Sequence, residues 1–342
     1  MAPIAMITGA SGQDGALLMQ LLTTRGYVVH TISRSHTDES SKQGSTTTHA
    51  LNKSDSAVVS RRLSRLIRDI QPDEIYHFAS DSFIPNSWDS PLENLEVNAG
   101  LTIAILEAVR HHSPKTRVLN ACSREIFGHA FEGRVNEETA MRPTTPYGIN
   151  KASARWMVHA YRERYGLFAS NAILFNHESP LRKEEFVTRK ISRGVAQIIH
   201  GLRSQIELGC LTARRDWGYA GDFVDAMWRM LQIDSPEDFV IGTGQTHSIE
   251  DFASAAFGHV GLEWKEHVTT NPSFARSNDR GVLSADCSKA KKLLDWQPTT
   301  TFDELVAMMV EADLASVVRS GAVEVKPSAT ESVRATQNRR AA

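Results

Sequence analysis

The first 34 residues constrain the fold more than any other part of the chain. The segment PIAMITGASGQDGALLMQLLTTRGYVVHTISR begins with an apolar run, Ile4 to Ile7, that is typical of a buried strand. A glycine-rich stretch then predicts a tight turn, and apolar residues at helical spacing predict a helix from Ala16 to Leu22. A second apolar run, YVVHTIS, follows Gly26 within about 30 residues, the length expected of one βαβ unit.

The turn between this strand and helix is a candidate phosphate-binding site. Gly9, Gly12 and Gly15 would let the backbone approach a pyrophosphate at the helix N-terminus, where free N–H groups and the helix dipole favour negative charge. The alternative is that these glycines serve only the shape of the turn. The strand-turn-helix-strand context favours dinucleotide binding.

The residue that follows the second strand indicates which dinucleotide would bind. An NAD site usually places an acidic residue there for the ribose 2′-hydroxyl, whereas a 2′-phosphate requires a cation. The strand ends in TISRSH, so Arg34 predicts NADP. The alternative is a solvated loop arginine.

Further along, strand-like and helix-like segments alternate. A polar stretch rich in Ser and Thr at 35–56 predicts a long loop. The helix-like VVSRRLSRLIRDIQ, the strand-like EIYHFAS, the helix-like NLEVNAGLTIAILEAVRHH and the strand-like RVLNACS follow. This order predicts an α/β protein with a Rossmann-type doubly wound parallel sheet. Ligands of such sheets bind outside the carboxyl ends of the strands, where FASDS and ACSREIFG fall.

Tyr147 and Lys151 form a candidate proton-transfer pair. They are four residues apart in GINKASARWMVHAYRERYG and its preceding turn, which predicts that both side chains lie on one face of a helix. A neighbouring ammonium group favours the phenolate, so we expect Lys151 to lower the pKa of Tyr147 from about 10. Alone, this spacing is more often an ordinary surface pair on a helix.

Composition excludes several other classes of protein. The 342 residues are 41% hydrophobic and 23% charged, with a net charge of −2, so no bulk basic field suggests nucleic acid as a partner. Three widely spaced cysteines predict neither a disulfide framework nor a zinc site, and favour the cytoplasm. The N-terminus predicts no signal peptide and no membrane span. His177 and Glu178 are adjacent, so they do not share a face, and we expect no metal.

The chain carries five longer motifs, namely TGASGQDG, QPDEIYHFASDSFI, ILFNHESPLRKEEFVTRKI, RRDWGYAGDFVDAMWRMLQ and PEDFVIGTG. They resemble motifs of the extended short-chain dehydrogenases/reductases that act on nucleotide sugars, and within them the GDP-mannose 4,6-dehydratase family. The resemblance runs from about residue 4 to residue 312. FNHESP, FVTRKI and RDWG are far more specific than the glycine turn. Residues 313–342 have no part in the resemblance and are predicted to be a C-terminal tail.

The resemblance implies a catalytic set of Ser123, Glu125, Tyr147 and Lys151. Tyr147 would take the proton of the C4 hydroxyl, with Ser123 hydrogen-bonded to the same oxygen. Glu125 would remove the C5 proton and deliver it to the departing C6 hydroxyl. The implied reaction is oxidation at C4, elimination of water across C5 and C6, and return of the hydride to C6.

The resemblance also implies binding residues and a division into domains. Cofactor binding falls on Gly9, Ser11, Gly12, Gln13, Asp14, Gly15, Arg34, Ala79, Tyr147, Lys151 and His177, and substrate binding on Ser82, Asn176, Val187, Lys190, Arg215 and Arg276. Residues 1–175 would form the NADP-binding core. Residues 176–312 would form mainly a smaller lobe for the nucleotide sugar, with some segments returning to the core. The family implies a homodimer or a homotetramer.

Arg124 departs from the family, which usually has a small Ser between the two catalytic side chains. If the segment stays extended, alternation points Arg124 away from Ser123 and Glu125. The alternative is a changed substrate contact. Two other functions remain open: an NADP-dependent 4-reductase or epimerase of the same family, which needs no Glu125, and a dinucleotide-binding homologue without catalysis.

Overall fold

The computed structural model describes residues 1–35, 41–52, 56–128, 133–274 and 281–319. The strands, in chain order, are β1 (Ile4–Thr8), β2 (Val28–Ser35), β3 (Ser41–Gln43), β4 (Thr46–Asn52), β5 (Glu74–His77), β6 (Arg117–Ser123), β7 (Gly133–Val135), β8 (Ala169–Leu174), β9 (Asn176–Glu178), β10 (Ile206–Leu208), β11 (Arg214–Arg215), β12 (Trp217–Tyr219), β13 (Phe239–Ile241), β14 (His247–Ser248), β15 (Val268–Thr270) and β16 (Leu283–Ala285). The helices are α1 (Gln13–Thr24), α2 (Ser56–Ile70), α3 (Ile84–Asp89), α4 (Pro91–Leu95), α5 (Leu101–His112), α6 (Pro146–Tyr165), α7 (Val187–Ile199), α8 (Ala220–Met230), α9 (Ile249–His259), α10 (Ser288–Leu294) and α11 (Phe302–Arg319).

Within these ranges, a central sheet of eight strands has the order β13-β8-β6-β5-β1-β2-β4-β3. Its neighbouring strands are parallel except for β3, which pairs antiparallel with β4. The chain leaves β1 toward β2 on one side and later places β5 on the other. The carboxyl ends of β1 and β5 therefore form a topological switch point, where open α/β sheets bind ligands. The predicted doubly wound parallel sheet is confirmed.

Helices cover both faces of this sheet. On one face α1 and α8 pack through buried residues such as Leu22 and Met227. On the other face α2, α5 and α6 pack through Ile67, Ile105 and Val158. The apolar side chains of each helix recur at helical spacing, so one side of each helix meets the sheet.

A smaller helical layer has its own core. Helices α7, α9 and α11 pack together around Val195, Phe252 and Met309. Between these elements α8 and β13 return to the central sheet. The division into a core of residues 1–175 and a smaller lobe of residues 176–312 with segments returning to the core stays a prediction.

The C-terminal segment begins inside the fold. Helix α11 continues to Arg319, and the carboxylate of Asp313 is fully buried, 2.8 Å from Arg189 of α7. The first residues of the predicted tail at 313–342 therefore belong to α11. Residues 320–342 lie outside the described residues.

The long loop predicted for 35–56 is wrong for residues 41–52, which form β3 and β4 at the edge of the sheet. The three threonines of Thr46–Thr48 are β-branched and favour extended backbone. A strand at the edge of a sheet also needs few apolar residues, so this segment has no apolar run that would have predicted β3 and β4.

Candidate active site

A cavity of about 1300 Å³ lies over the carboxyl ends of β1, β5, β6 and β8. This volume exceeds what a single small ligand needs. Of the predicted site residues, those that line it are Gly9, Ser11, Gly12, Gln13, Asp14, Gly15, Ala79, Ser82, Ser123, Glu125, Tyr147, Lys151, Asn176, His177, Val187, Lys190 and Arg215. Residues as distant in sequence as Gly9 and Arg215 thus meet in one space.

Two predicted residues cannot be placed in this way. The backbone of Arg34 lies in β2 beside Leu51, and its neighbours Ile32 and Ser33 line the cavity, but its side chain is not described. Arg276 lies outside the described residues.

The turn after β1 leaves no room for a side chain at Gly9 or Gly15. Gly9 has φ +77°, and a Cβ there would lie 2.7 Å from the backbone nitrogen of Ala79. A Cβ on Gly15 would lie 2.5 Å from Cα of Ala10. Gly12 is the N-cap of α1 and offers no side chain to its first N–H groups. The turn therefore exposes backbone donors at a helix N-terminus to the cavity, which fits a pyrophosphate.

Asp14 and His177 tie this turn to β9. Nε2 of His177 lies 3.0 Å from both carboxylate oxygens of Asp14, and Nδ1 lies 2.7 Å from the carbonyl oxygen of Phe175. Both ring nitrogens face acceptors, so the geometry suits the imidazolium form. Burial opposes the charge, but the Asp14 carboxylate and these hydrogen bonds raise the pKa of His177 above its usual value. His177 was predicted to bind the cofactor, and its ring here orients the turn.

The proposed catalytic residues meet where β6 ends and α6 begins. Ser123 ends β6 and Glu125 follows in a 3-10 turn, Arg124–Phe127, while Tyr147 and Lys151 project from the first turns of α6. Tyr147 and Lys151 are both buried, and Nζ of Lys151 lies 5.8 Å from the centroid of the Tyr147 ring. The predicted shared helix face is confirmed.

The expected effect of Lys151 on the pKa of Tyr147 is wrong for the protein alone. Burial raises the pKa of Tyr147 well above its usual value, and hydrogen bonds with Ser123 and Ser80 offset this only in part. Nζ of Lys151 instead donates a hydrogen bond to the carbonyl oxygen of Ala121 at 2.8 Å. Burial lowers the pKa of Lys151 itself to about 8.

The expectation that Arg124 points away from Glu125 is also wrong. The extended backbone ends at Ser123, whose hydroxyl accepts a hydrogen bond from the backbone nitrogen of Glu125 at 3.2 Å. The chain then turns, which breaks the alternation of a strand. Nη2 of Arg124 lies 2.9 Å from Oε1 of Glu125, and the two side chains are only 7% and 12% exposed.

The 3-10 turn packs tightly on the start of α6. Thr145 caps the helix by accepting a hydrogen bond from the backbone nitrogen of Gly148 at 3.0 Å. A Cβ on Gly148 would lie 2.7 Å from the carbonyl oxygen of Glu125. Because no side chain intervenes, the backbone of Glu125 is held at a fixed position relative to Tyr147.

The other end of the cavity carries residues suited to a nucleotide diphosphate. Nζ of Lys190 lies 4.3 Å from the ring centroid of Phe274, and burial lowers the pKa of Lys190. Arg182 also lines the cavity, 3.1 Å from Glu178, with its guanidinium stacked 3.5 Å from the Phe186 ring centroid. Sequence reasoning missed Arg182. Its position four residues after Glu178 could have indicated an ion pair between the two.

Neither a metal site nor a membrane-spanning helix is found in the part of the chain that the structure describes. No three His, Cys, Asp or Glu side chains of the described ranges come together as metal ligands. None of the described helices combines the length and the apolar character needed to cross a membrane.

Comparison with known proteins gives consistent matches. The family model described as GDP-mannose 4,6 dehydratase matches residues 6–309. GDP-mannose 4,6 dehydratase 1 of Arabidopsis thaliana is 40% identical, with 91% of this chain and 90% of the relative covered. GDP-mannose 4,6 dehydratase of Homo sapiens is 38% identical, with 91% of each covered.

A solved structure of low sequence identity shares the fold. RMD from Pseudomonas aeruginosa, complexed with NADPH, matches with a TM-score of 0.76 at 20% identity. The match covers 92% of this chain and 100% of that one.

Proposed function

The chain belongs to the GDP-mannose 4,6-dehydratase family, and from this premise we propose that it is an NADP-dependent hydro-lyase that converts GDP-mannose, or a close GDP-sugar, to the GDP-4-keto-6-deoxy sugar. The observation that carries the proposal is the meeting of Glu125 with Tyr147 at one cavity that also contains the glycine turn. A reductase or epimerase needs Tyr147 and Lys151, but an elimination also needs a carboxylate base beside them.

Bound NADP would accept the C4 hydrogen as a hydride and would later return it to C6. The exposed N–H groups at the start of α1 would hold its pyrophosphate. The place of Arg34 at the end of β2 supports a 2′-phosphate rather than a free 2′-hydroxyl. Lys151 would orient the cofactor and Tyr147 from within the same buried corner.

Each proton has an assigned group. Burial raises the pKa of Tyr147 in the protein alone, but the positive charges of Lys151 and of bound oxidised nicotinamide would favour its phenolate. As the phenolate, Tyr147 would take the proton of the C4 hydroxyl, and Ser123 would donate a hydrogen bond to the same oxygen. The resulting 4-ketone acidifies C5, so that Glu125 can remove the C5 proton. The C5–H electron pair then forms the C5–C6 double bond, the C6–O bond breaks, and Glu125 delivers its proton to the departing oxygen as water. When the hydride returns to C6, C5 takes a proton from solvent.

Substrate recognition would fall to the far end of the cavity. Ser82 and Asn176 offer polar groups, and Lys190 and Arg215 offer cations for the diphosphate. Val187 begins α7, whose N-terminus adds further free donors. Arg276 is proposed to complete this set.

The test is incubation of the protein and NADP with a panel of GDP-, UDP-, CDP- and dTDP-sugars. We expect a 4-keto-6-deoxy product from GDP-mannose or a close GDP-sugar, without net consumption of NADPH. Net reduction of NADP with release of a 4-keto sugar that keeps its C6 hydroxyl would identify a 4-reductase running in reverse, and a C4 epimer would identify an epimerase. Tight dinucleotide binding without conversion of any sugar would identify a homologue without catalysis.

We also propose that the protein is a homodimer or a homotetramer. Large apolar side chains are exposed on adjacent helices, namely Trp88 of α3, Leu92 and Leu95 of α4, and Ile149 and Trp156 of α6. Large exposed apolar side chains on neighbouring helices favour an interface there, and a two-fold dimer would bury them against the same helices of a second copy. Trp156→Glu is expected to shift the mass measured by light scattering from dimer to monomer, and an unchanged mass would remove this face.

The proposed location is the cytoplasm. All three cysteines are free, two of them partly exposed, which suits a reducing compartment. Fractionation of cells that produce the protein would test this.

A further inference from the structure

Arg124 forms a largely buried ion pair with Glu125, the residue that follows it in the chain. Its Nη2 lies 2.9 Å from Oε1 of Glu125, and the two side chains are 7% and 12% exposed. Both line the cavity. Adjacent residues meet in this way only because the backbone turns at Ser123 from strand to 3-10 turn.

Burial makes the two charges dependent on each other. An arginine keeps its charge at every physiological pH, so it cannot adapt to burial by losing a proton. A buried carboxylate left without its cation is costly, and so is the cation without the carboxylate. The pair therefore persists as a unit, and the rigid guanidinium fixes the direction of the carboxylate.

The neighbouring contacts hold this unit in place. The backbone N–H of Glu125 donates a hydrogen bond to the Ser123 hydroxyl oxygen, and the carbonyl oxygen of Glu125 abuts Gly148 of α6. These two contacts fix the backbone of Glu125, whereas the Arg124 contact fixes its side chain. Gly148 directly follows Tyr147, so the backbone contact with Glu125 lies beside the proposed C4 base.

From this geometry we infer that Arg124 is a positioning residue for proton transfer by Glu125, an inference that rests on the proposed dehydratase function. The ion pair holds Oε1 and leaves the carboxylate plane in one orientation toward C5 and C6 of the sugar. It acts on the step in which the C5 proton passes to Glu125 and then to the leaving oxygen. The earlier removal of hydrogen from C4, which depends on Tyr147, does not require it.

The test compares Arg124→Met, which keeps the length of the side chain without its charge, with Arg124→Lys and the wild type. Arg162→Met is the matched control, because Arg162 forms a partly buried ion pair with Asp238, with Nη2 2.5 Å from Oδ1, and neither residue lines the cavity. Each variant is supplied with NADP and GDP-mannose in deuterium oxide. We measure C5 exchange, reduced nicotinamide absorbance, product, and GDP-mannose affinity by calorimetry.

In Arg124→Met we expect C5 exchange and product formation to fall by about 10- to 100-fold, as for a misplaced catalytic group. Reduced nicotinamide should accumulate, and the affinity for GDP-mannose should stay within about twofold of wild type. Arg124→Lys should recover part of the exchange, because it keeps the charge without the fork. Arg162→Met should exchange normally.

Normal C5 exchange in folded Arg124→Met would overturn the inference, and so would a loss confined to GDP-mannose affinity, which would make Arg124 a substrate contact. If Arg124→Met does not fold, normal exchange in Arg124→Lys overturns it equally. Wild-type protein that converts no sugar would instead refute the proposed function.

A second measurement does not depend on turnover. Thermal unfolding of Arg124→Met, Glu125→Gln and the double variant forms a double-mutant cycle. The double variant should lose less stability than the two single variants added together, because each single variant removes from the remaining charge the partner that this ion pair supplies. Strict additivity would show that the two side chains do not act as a unit, and would overturn the inference whatever the reaction.

Discussion

Gly148 provides the sharpest test of how the site is assembled. A Cβ at this position would lie 2.7 Å from the carbonyl oxygen of Glu125 and 3.2 Å from Oγ1 of Thr145, where 3.4 Å is the start of ordinary contact. Gly148→Ala must therefore separate α6 from the 3-10 turn by about 0.7 Å. The neighbouring atom is backbone, so no side-chain rotation can relieve the contact.

Two opposing effects decide the size of the change in stability. Alanine in place of glycine favours a helix by up to about 1 kcal/mol. Overpacking against a rigid neighbour costs about 1–3 kcal/mol. We therefore expect Gly148→Ala to lower the free energy of unfolding by about 1–2 kcal/mol. The same displacement moves Glu125 relative to Tyr147, and we expect turnover to fall by about 10- to 100-fold.

Gly258→Ala is the control, because Gly258 lies in α9 and a Cβ there meets no atom within 4 Å. It should raise the free energy of unfolding by up to about 1 kcal/mol and leave turnover unchanged. Urea unfolding and turnover of GDP-mannose are measured on both variants. Wild-type turnover in Gly148→Ala, together with unchanged or increased stability, would refute the close approach of α6 to Glu125.

Four further predictions concern single residues. Tyr147→Phe should reduce turnover by at least about 100-fold and leave dinucleotide affinity intact, and full activity would exclude Tyr147 as the C4 base. Arg34→Asp should reduce the preference for NADP over NAD in a titration of both, and unchanged relative affinities would remove Arg34 from the site. Because burial lowers the pKa of Lys151 to about 8, wild-type affinity for NADP should fall as pH rises through that value. The affinity of Lys151→Met should lack this dependence, and a persisting fall would assign it to another group. The pKa of Asp14 is lowered and that of His177 is raised, so both groups are charged between about pH 4 and 6.5. The stability lost in Asp14→Asn, measured by urea unfolding, should be largest in this range and decline on either side. A loss that stays constant with pH would contradict the ion pair.

Local patterns in the sequence predicted the features that depend on neighbours along the chain. The βαβ unit with Gly9 and Gly15 and the shared helix face of Tyr147 and Lys151 are of this kind. Helical spacing fixes which side chains meet, whatever the rest of the protein does.

The sequence could not predict effects that arise from tertiary packing. The pKa of Tyr147 is set by burial, which no four-residue spacing reveals. Asp14 pairs with His177 across 163 positions of the chain. Arg124 faces Glu125 because β6 ends at Ser123, so the side-chain alternation of a strand does not continue through Arg124 and Glu125.

The most direct test of the central claim follows the hydrogen at C4 of the sugar. GDP-mannose carrying deuterium at C4 is incubated with the wild-type protein and NADP in ordinary water, and the product is examined by NMR. A 4,6-dehydratase with Glu125 as the C5 base should place the deuterium at C6 of a 4-keto-6-deoxy sugar and take the hydrogen at C5 from solvent. Deuterium found again at C4 of an epimer, or lost from the sugar altogether, would contradict the account.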